Sequence, residues 1–346
     1  MLNMTENKIW TLKSIAKELG VSNATVSNAF NRPDQLSKKR REDILESCQK
    51  LGYSGPNKVA QSLRKGQSNI VALVLPDSVE YMITDPVASD FVKGVSSVLE
   101  KSQVNLLLFS GASKNINAVS DFVDGFICYG SPRNAKLIDQ LRTTVKKVVT
   151  ADFDIDRKAS VGIDNEQAAY EIAKLAINSK DDDIAILGLR LLDSNLTCRV
   201  YDLANIDVHC SIAHQRLNGY KKAVEEIGVN LRTDRLWNIP ESSHHFALIA
   251  VKEALSSIPR PNVLLCMSDL IALAAIKEIK SMGLTIPDDI RVVGFDGINE
   301  ATRSTPPLTT IHQNSEAKGI KAAELFINRG TDSVIIPYYI EHGNSC

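Results

Sequence analysis

The chain of 346 residues is 44% hydrophobic and 23% charged, which suits one small domain joined to one larger or bilobed domain. This composition excludes fibrous and disordered classes of protein. Apolar runs such as Ile70–Pro76 are of strand length, far below the roughly 18 residues of a membrane span, so no membrane helix is predicted. The polar start, Met1–Asn7, lacks the apolar core of an export signal, and we therefore expect a cytoplasmic protein.

Charge is distributed unevenly although the net charge is only −1. Residues 1–68 contain 12 Lys and Arg against 6 Asp and Glu, which leaves 28 basic and 35 acidic side chains in the rest of the chain. A basic head on an acidic body is typical of a nucleic-acid-binding module attached to a domain that does not bind nucleic acid. An ordinary solvated face could show the same charge bias. The sequence pattern of residues 1–68 has to distinguish this alternative from a nucleic-acid-binding module.

The head predicts three short helices. Thr11 can cap the first and Gly20 can end it, Ser22 can cap the second after one intervening residue, and the third starts after Ser37 and ends at Gly52. Their inward faces carry apolar residues at helical spacing, namely Leu12, Ile15, Ala16, Leu19, Val26, Ala29, Phe30, Ile44, Leu45, Cys48 and Leu51. Two helices joined by a tight turn form a helix-turn-helix, whose second helix reads the major groove of DNA.

A short basic segment follows the head. After Pro56, residues 57–66 offer a cap, one or two helical turns and a terminal glycine. Helices this short are marginal in water, so the segment is expected to order only against DNA or a second copy of the chain. A plain polar linker between domains is the alternative interpretation.

From residue 69 onward, apolar strands alternate with amphipathic helices, which predicts an α/β body of doubly wound parallel sheets in two lobes. The predicted strands are Ile70–Leu75, Leu106–Phe109, Phe126–Tyr129, Lys147–Thr150, Ile184–Leu187, Val263–Cys266 and Val292–Phe295. The predicted helices are Phe91–Glu100, Ala135–Arg142, Glu166–Ile177, Arg216–Ile227, Phe246–Leu255 and Leu270–Met282. The predicted division is a headpiece of residues 1–55, a hinge helix and linker of 56–68, and a body of 69–346. Its lobes are about 69–165 with 296–315, and 166–295 with 316–346.

The body carries no recognisable catalytic machinery. It has neither a G-x-G-x-x-G turn after a strand, nor a Walker loop, a G-x-S-x-G elbow or an H-E-x-x-H helix. The six cysteines form no C-x-x-C pair, and the adjacent His244 and His245 point apart on a helix or a strand. We therefore predict a binding protein rather than an enzyme, with neither a metal nor a cofactor.

The motifs of both parts resemble the lactose and galactose repressor family of bacterial regulators. They are Thr11–Ala16, Gly20–Ser22, Ala24–Ser27, Leu51–Tyr53 and Val59–Arg64 in the head, and Val161–Asn165, Arg216–Tyr220, Met267–Asp269, Val293–Asp296 and Thr305–Thr310 in the body. The resemblance implies a helix-turn-helix headpiece and a body like that of periplasmic sugar-binding proteins, which close two lobes on a small ligand. It also implies a repressor that binds a palindromic operator in double-stranded DNA as a homodimer. The longer connection Leu191–Ala213 departs from the family pattern.

The resemblance and the helix-turn-helix pattern together assign DNA contacts. These are Thr11, Leu12, Ser22, Asn23, Ala24, Thr25, Ser27, Asn28, Asn31, Tyr53, Ala60 and Leu63. The family's leucine at the position of Leu63 wedges into the minor groove and kinks the duplex. Asn28 replaces the arginine usual in the family, which exchanges a side chain suited to guanine for one suited to adenine.

For the effector, the resemblance assigns Arg216 and Asp269, and Asp77 and Asp152 are added because each follows a predicted strand. A guanidinium and a carboxylate suit a hydroxyl-rich ligand, here a carbohydrate or a nucleoside-like molecule. Asp269 could instead cap the helix that follows it, and Arg216 could be an ordinary surface residue. A different class of protein, a binding protein or enzyme with a helical N-terminal extension, is disfavoured by the basic headpiece.

Overall fold

The computed structural model describes residues 10–55, 67–113, 115–202 and 211–346. The predicted contacts Ala60 and Leu63 lie outside these described residues, together with most of the predicted hinge and with residues 203–210 of the long connection. Among the described residues, no helix is long and apolar enough to cross a membrane.

The headpiece contains the three predicted helices, Leu12–Glu18, Asn23–Asn31 and Lys38–Lys50, with a 3-10 turn at Pro33–Gln35. Their starts are the expected caps. The Thr11 and Ser14 side chains each accept a hydrogen bond from the other's backbone N–H, and Ser22 Oγ accepts one from the Thr25 N–H at 3.0 Å. Gly20 has φ +64°, which a side chain would disfavour, so the tight turn requires glycine.

The headpiece has its own small core. The residues that are buried in it are Ile15, Ala16, Val26, Ala29, Ile44, Cys48 and Tyr53. Arg41 Nε donates a hydrogen bond of 2.9 Å to the Ala29 carbonyl, which fixes the end of the second helix to the third. The second helix is therefore held from both sides.

The described residues of the body form two sheets. Their strands are β1 Ile70–Val74, β2 Asn105–Phe109, β3 Gly125–Tyr129, β4 Lys147–Ala151, β5 Ala159–Gly162, β6 Ile184–Leu189, β7 Cys198–Arg199, β8 Leu236–Ile239, β9 Val263–Cys266, β10 Arg291–Asp296, β11 Thr309–His312, β12 Val334–Ile335 and β13 Tyr339–Glu341. The first sheet has the strand order β12-β5-β4-β3-β1-β2 and is wholly parallel. The second has the order β13-β11-β10-β9-β6-β8-β7, with antiparallel strands only at its edges.

Helices cover the faces of both sheets, as parallel strands buried on both sides require. The described helices of the body are Val79–Met82, Pro86–Lys101, Asn117–Ser120, Ala135–Thr143, Asn165–Ala176, Ser211–Ile227, His244–Leu255, Asp269–Ser281, Asn299–Arg303 and Ser315–Ile327. Pro86–Lys101 packs on Ser315–Ile327 in lobe 1, which we define as the part built on the first sheet. Asn165–Ala176 packs on Ser211–Ile227 in lobe 2, the part built on the second sheet.

The predicted division of the last fifty residues between the lobes is wrong. Residues 296–315 were assigned to the first lobe, but β11 pairs with β10 and so belongs to lobe 2. Residues 316–346 were assigned to the second lobe, but the helix Ser315–Ile327 packs on β4, and β12 pairs with β5, so both belong to lobe 1. The chain then returns to lobe 2, where β13 pairs with β11. Non-local strand pairing decides this path, and the local pattern does not reveal it.

The two long helices of lobe 1 approach closely at a pair of glycines. A Cβ atom on Gly319 would lie 2.2 Å from the Phe91 carbonyl oxygen, and a Cβ on Gly94 would lie 2.1 Å from the Glu316 carbonyl oxygen. Both distances are far below van der Waals contact, and the obstructing atoms are backbone. The helices can therefore keep this separation only with glycine at both positions.

We predict that Gly319→Ala lowers the free energy of unfolding by about 1–3 kcal/mol, because the helices must move apart. In an unobstructed helix the same substitution would raise the free energy of unfolding by roughly 1 kcal/mol, because alanine favours a helix over glycine. The sign of the change therefore distinguishes close packing from open space. Urea unfolding followed by circular dichroism measures the change. Lys321→Ala, on the same helix, is the control and should change stability little. An equal or higher stability of Gly319→Ala would contradict the close packing.

Candidate functional site

The body encloses a cleft of about 990 Å³, including the space at its open mouth. Its polar and charged walls come from the carboxyl ends of parallel strands in both sheets, where ligands of doubly wound folds bind. They include Tyr129 at the end of β3 and Ser131 after it, Asp152 after β4, Arg190 after β6, Asp296 at the end of β10 and Gln313 after β11. Arg216, Tyr81, Asp85 and Ser242 complete the polar lining.

Arg216 is 5% exposed and lines the cleft, so the surface alternative is wrong. Its Nε donates to Asn165 Oδ1 at 3.0 Å and its Nη1 donates to the Met267 carbonyl at 2.6 Å. The guanidinium lies 3.6 Å from the Phe295 ring centroid, and Nη1 is 3.6 Å from Asp296 Oδ1. These contacts fix the planar group before a ligand arrives, which lowers the entropy cost of binding.

Asp152 also lines the cleft, where the strand-end argument predicted it. One carboxylate oxygen binds the ammonium of Lys318, which is fully buried, and the other is a buried oxygen without a hydrogen-bond partner among the described residues. Lys318 also donates to Gln313 Oε1 at 2.6 Å, and Gln313 Nε2 donates to Asp296 Oδ1 at 2.7 Å. A continuous chain of polar contacts therefore connects Asp152 to Asp296.

Asp296 is a cleft residue that the sequence analysis quoted in a motif but did not assign to the effector. Burial raises the pKa of its carboxyl group well above the ordinary value, and the Arg216 guanidinium opposes that rise. Its backbone has φ +136°, and the cleft residues Asp152 and Arg190 have φ +55° and +56°. Strained backbone of this kind is concentrated at functional sites. The sequence offered a signal for this residue, since Asp296 directly follows the predicted strand Val292–Phe295.

Asp269 does not line the cleft, which differs from its predicted role. It is fully buried at the first position of the helix Asp269–Ser281, and Ser268, rather than Asp269, is the N-cap. Its carboxylate accepts hydrogen bonds from the N–H groups of Gly297 and Ile298 at 2.8 and 2.9 Å and from Thr310 Oγ1 at 2.5 Å. Asp269 thus holds the loop that follows Asp296, and its structural position is that of a support for the cleft.

Asp77 is likewise placed outside the cleft lining. Its carboxylate lies 3.1 Å from Arg133 Nη2 and accepts a hydrogen bond from the Ser78 N–H at 2.8 Å. Arg133 itself reaches lobe 2, where it donates to Asn195 Oδ1 at 2.9 Å. Asp77 therefore orients a side chain that joins the two lobes at the rim of the cleft.

A second contact joins the lobes at another point of the rim. The backbone N–H of Ser242 in lobe 2 donates to the hydroxyl oxygen of Tyr81 in lobe 1 at 2.9 Å. Burial, followed by the charge of Asp85, raises the pKa of Tyr81 above the ordinary value, so the phenol stays neutral at physiological pH. Both rim contacts would break if the lobes separated.

The predicted DNA contacts of the headpiece differ in how far they are exposed. Thr11, Ser22, Asn23, Ala24 and Asn31 are exposed, while Leu12, Thr25, Ser27 and Asn28 are half-buried. Tyr53 differs, because its ring is buried in the headpiece core and packs edge-on against Phe30 at 5.8 Å. Its hydroxyl has no hydrogen-bond partner among the described residues. Both the ring and the hydroxyl of Tyr53 are thus buried within the headpiece, which differs from the predicted DNA contact.

The buried Asp269 generates a prediction about pH. Burial raises its pKa from 3.8 to about 6, against the opposing hydrogen bonds from Thr310, Ile298 and Gly297. A raised folded-state pKa means that the stabilising contribution is present below the unfolded pKa and is lost as the pH rises through about 6. We therefore predict that the wild type loses roughly 2–3 kcal/mol of unfolding free energy relative to Asp269→Asn between pH 4 and pH 6.5.

Urea unfolding of both proteins across this range measures the difference. Asp289→Asn is the control, because hydrogen bonds from Thr285 lower the pKa of Asp289. The contribution of Asp289 is present above the ordinary pKa of 3.8 and is lost only at lower pH, so the wild-type advantage over Asp289→Asn should stay nearly constant across this range. A wild-type advantage over Asp269→Asn that is constant with pH would contradict the account of Asp269.

Comparisons with known proteins agree with this architecture. Residues 11–57 match the family of bacterial regulatory proteins of the lacI type, and residues 200–337 match a periplasmic binding protein-like domain. The HTH-type transcriptional regulator Rv3575c of Mycobacterium tuberculosis is 34% identical over 341 residues, which cover 94% of this chain and 92% of that protein.

Two solved structures share the fold. The lac repressor dimer bound to operator and the anti-inducer ONPF has a TM-score of 0.72 at 21% identity and covers 98% of this chain and 99% of its own. The complex of the transcriptional regulator CelR with cellobiose has a TM-score of 0.65 at 21% identity, with 98% and 100% covered. The predicted regulator, rather than an enzyme, is thereby confirmed: this chain belongs to the LacI family of transcriptional regulators, with a helix-turn-helix headpiece and an effector-binding body.

Proposed function

We propose that the chain acts as a homodimeric repressor of a palindromic operator, and that a small polyhydroxylated effector in the cleft controls its affinity for DNA. The effector class is inferred from Asp152, a residue of the cleft lining whose buried carboxylate oxygen Oδ1 has no hydrogen-bond partner within the described residues. A buried oxygen of this kind needs a donor, and a ligand hydroxyl supplies one.

The rest of the cleft suits the same class of ligand. Arg216, in its fixed position, offers charge-assisted donors, and Asp296 offers acceptors on the same side. Apolar side chains of Met82, Val87 and Leu189 line the remaining surface and can pack on the C–H face of a sugar or on a base. A carbohydrate is therefore the preferred ligand, and a nucleoside-like molecule also presents hydroxyls beside an apolar face.

The proposal of a dimeric repressor is supported by the relatives. The lac repressor structure is described as a dimer on its operator, and similar proteins include the HTH-type transcriptional repressor PurR of Photobacterium profundum, 28% identical over 334 residues. One helix-turn-helix contacts one half-site, so two copies related by a two-fold axis read a palindrome. Effector binding would then alter how the two headpieces are presented to the half-sites.

Selection of DNA from a random pool tests the proposal, with Asn28→Arg as the diagnostic variant. We expect the wild type to enrich a palindrome, and Asn28→Arg to change the preferred bases, because asparagine suits adenine and arginine suits guanine. Gln49→Arg adds the same charge on the third helix and should keep the wild-type preference. No enrichment by the wild type, or a uniform loss of affinity in Asn28→Arg without a change in sequence preference, would contradict the proposal.

A further inference from the structure

A lysine with no exposed surface lies directly behind the cleft. Lys318 is in the helix Ser315–Ile327 of lobe 1, where an apolar residue would ordinarily pack, and its ammonium binds Asp152 and Gln313. Burial lowers the pKa of Lys318, and the charge of Asp152 opposes that fall. A buried ammonium is costly unless it is paired, so its retention at this point requires the carboxylate.

Asp152 and Asp296 are each paired with one cation. Asp152 binds Lys318, and Asp296 has Arg216 at 3.6 Å and Gln313 at 2.7 Å. Gln313 connects the pairs, since its carbonyl oxygen accepts from Lys318 while its amide donates to Asp296. These two carboxylates can therefore accept hydrogen bonds from a ligand without presenting an uncompensated negative charge. A third carboxylate of the cleft, Asp85, accepts a hydrogen bond from the Val87 N–H and forms no ion pair within the described residues.

The cation paired with Asp152 affects which ligand group this carboxylate can bind. A carboxylate that already holds a fixed cation gains little from a second cation but can still accept a hydrogen bond from a hydroxyl. If Lys318 were apolar, Asp152 would be an unpaired buried charge, which strongly attracts an ammonium group. Asp152, as a residue of the cleft lining, would then attract an amino substituent on a ligand.

We propose that Lys318 is a specificity-determining residue of the cleft, which makes Asp152 an acceptor for hydroxyl groups and disfavours a ligand whose ammonium group lies at Asp152. The inference rests on the proposed function only in placing a polyhydroxylated ligand in the cleft. It goes beyond that function by naming a residue that selects an uncharged ligand group at Asp152.

Matched pairs of neutral and amino sugars test the inference in the full-length protein. The probes are D-glucose with D-glucosamine and D-galactose with D-galactosamine, titrated by calorimetry at pH 6.5, where the amino sugars are largely protonated. We expect wild-type protein to prefer a neutral sugar over its amino counterpart. Lys318→Met should reverse the order and change the affinity ratio by at least about tenfold.

Two further variants control for indirect effects. Lys321→Met removes a partly exposed lysine of the same helix, which pairs with Glu324, and should keep the wild-type ratio. The double variant Asp152→Asn with Lys318→Met removes both charges of the buried pair, so it is expected to fold even if the single variant does not. It should show no preference for either member of a sugar pair.

An unchanged ratio in Lys318→Met, a preference for amino sugars in the wild type, or a preference for amino sugars in the double variant would overturn the inference. So would the absence of any amino-sugar binding by folded Lys318→Met, because an unpaired Asp152 must attract these probes. The selection of operator DNA is independent of these titrations. A failure of the inference is therefore distinguishable from a failure of the proposed function.

Discussion

Two buried charge pairs, Arg216 with Asp296 and Lys318 with Asp152, are the constraint on which the cleft depends. A buried charge that loses its partner costs about 3–5 kcal/mol, so each partner must stay in place. The pairs draw on β4, β10 and the helices on either side, and Gln313 connects them between the lobes. The chain crosses from β11 in lobe 2 into the helix of Lys318 in lobe 1, which brings Gln313 between the two pairs.

A second layer of interactions keeps Asp296 in position. The backbone N–H of Asp269 lies 3.4 Å from Asp296 Oδ2, while the Asp269 carboxylate holds the following loop. Gly294, next to this carboxylate, has no room for a Cβ, which would lie 2.2 Å from Asp269 Oδ1. Asp269 therefore supports the site from behind. The carboxylate that lines the cleft is that of Asp296, on the neighbouring strand β10.

The elements that depend on local interactions were predicted correctly from the sequence. The headpiece depends on caps at Thr11, Ser22 and Ser37 and on short-range apolar spacing, and all three helices were predicted. The resemblance assigned Asp269, and not Asp296, to the effector. The structure buries Asp269 at the start of a helix and places Asp296, at the end of β10, in the cleft lining. The strand Leu236–Ile239 was missed because it is short and contains a buried Asn238. The helix of Lys318 was missed, and with it the cation that pairs with Asp152.

We propose that a ligand bound between these charge pairs controls DNA binding. The decisive measurement is the operator affinity of wild type and an Arg216 variant, with and without a sugar that the wild type binds. We expect the ligand to change the affinity of the wild type at least about fivefold, as a coupling free energy of 1 kcal/mol or more requires. Arg216→Met leaves Asp296 without its cation, so Arg216→Met combined with Asp296→Asn is measured beside it, and circular dichroism checks that both are folded. The folded variants should bind the ligand-free operator normally and show no response, whereas a full response in either would contradict control by a ligand at this site.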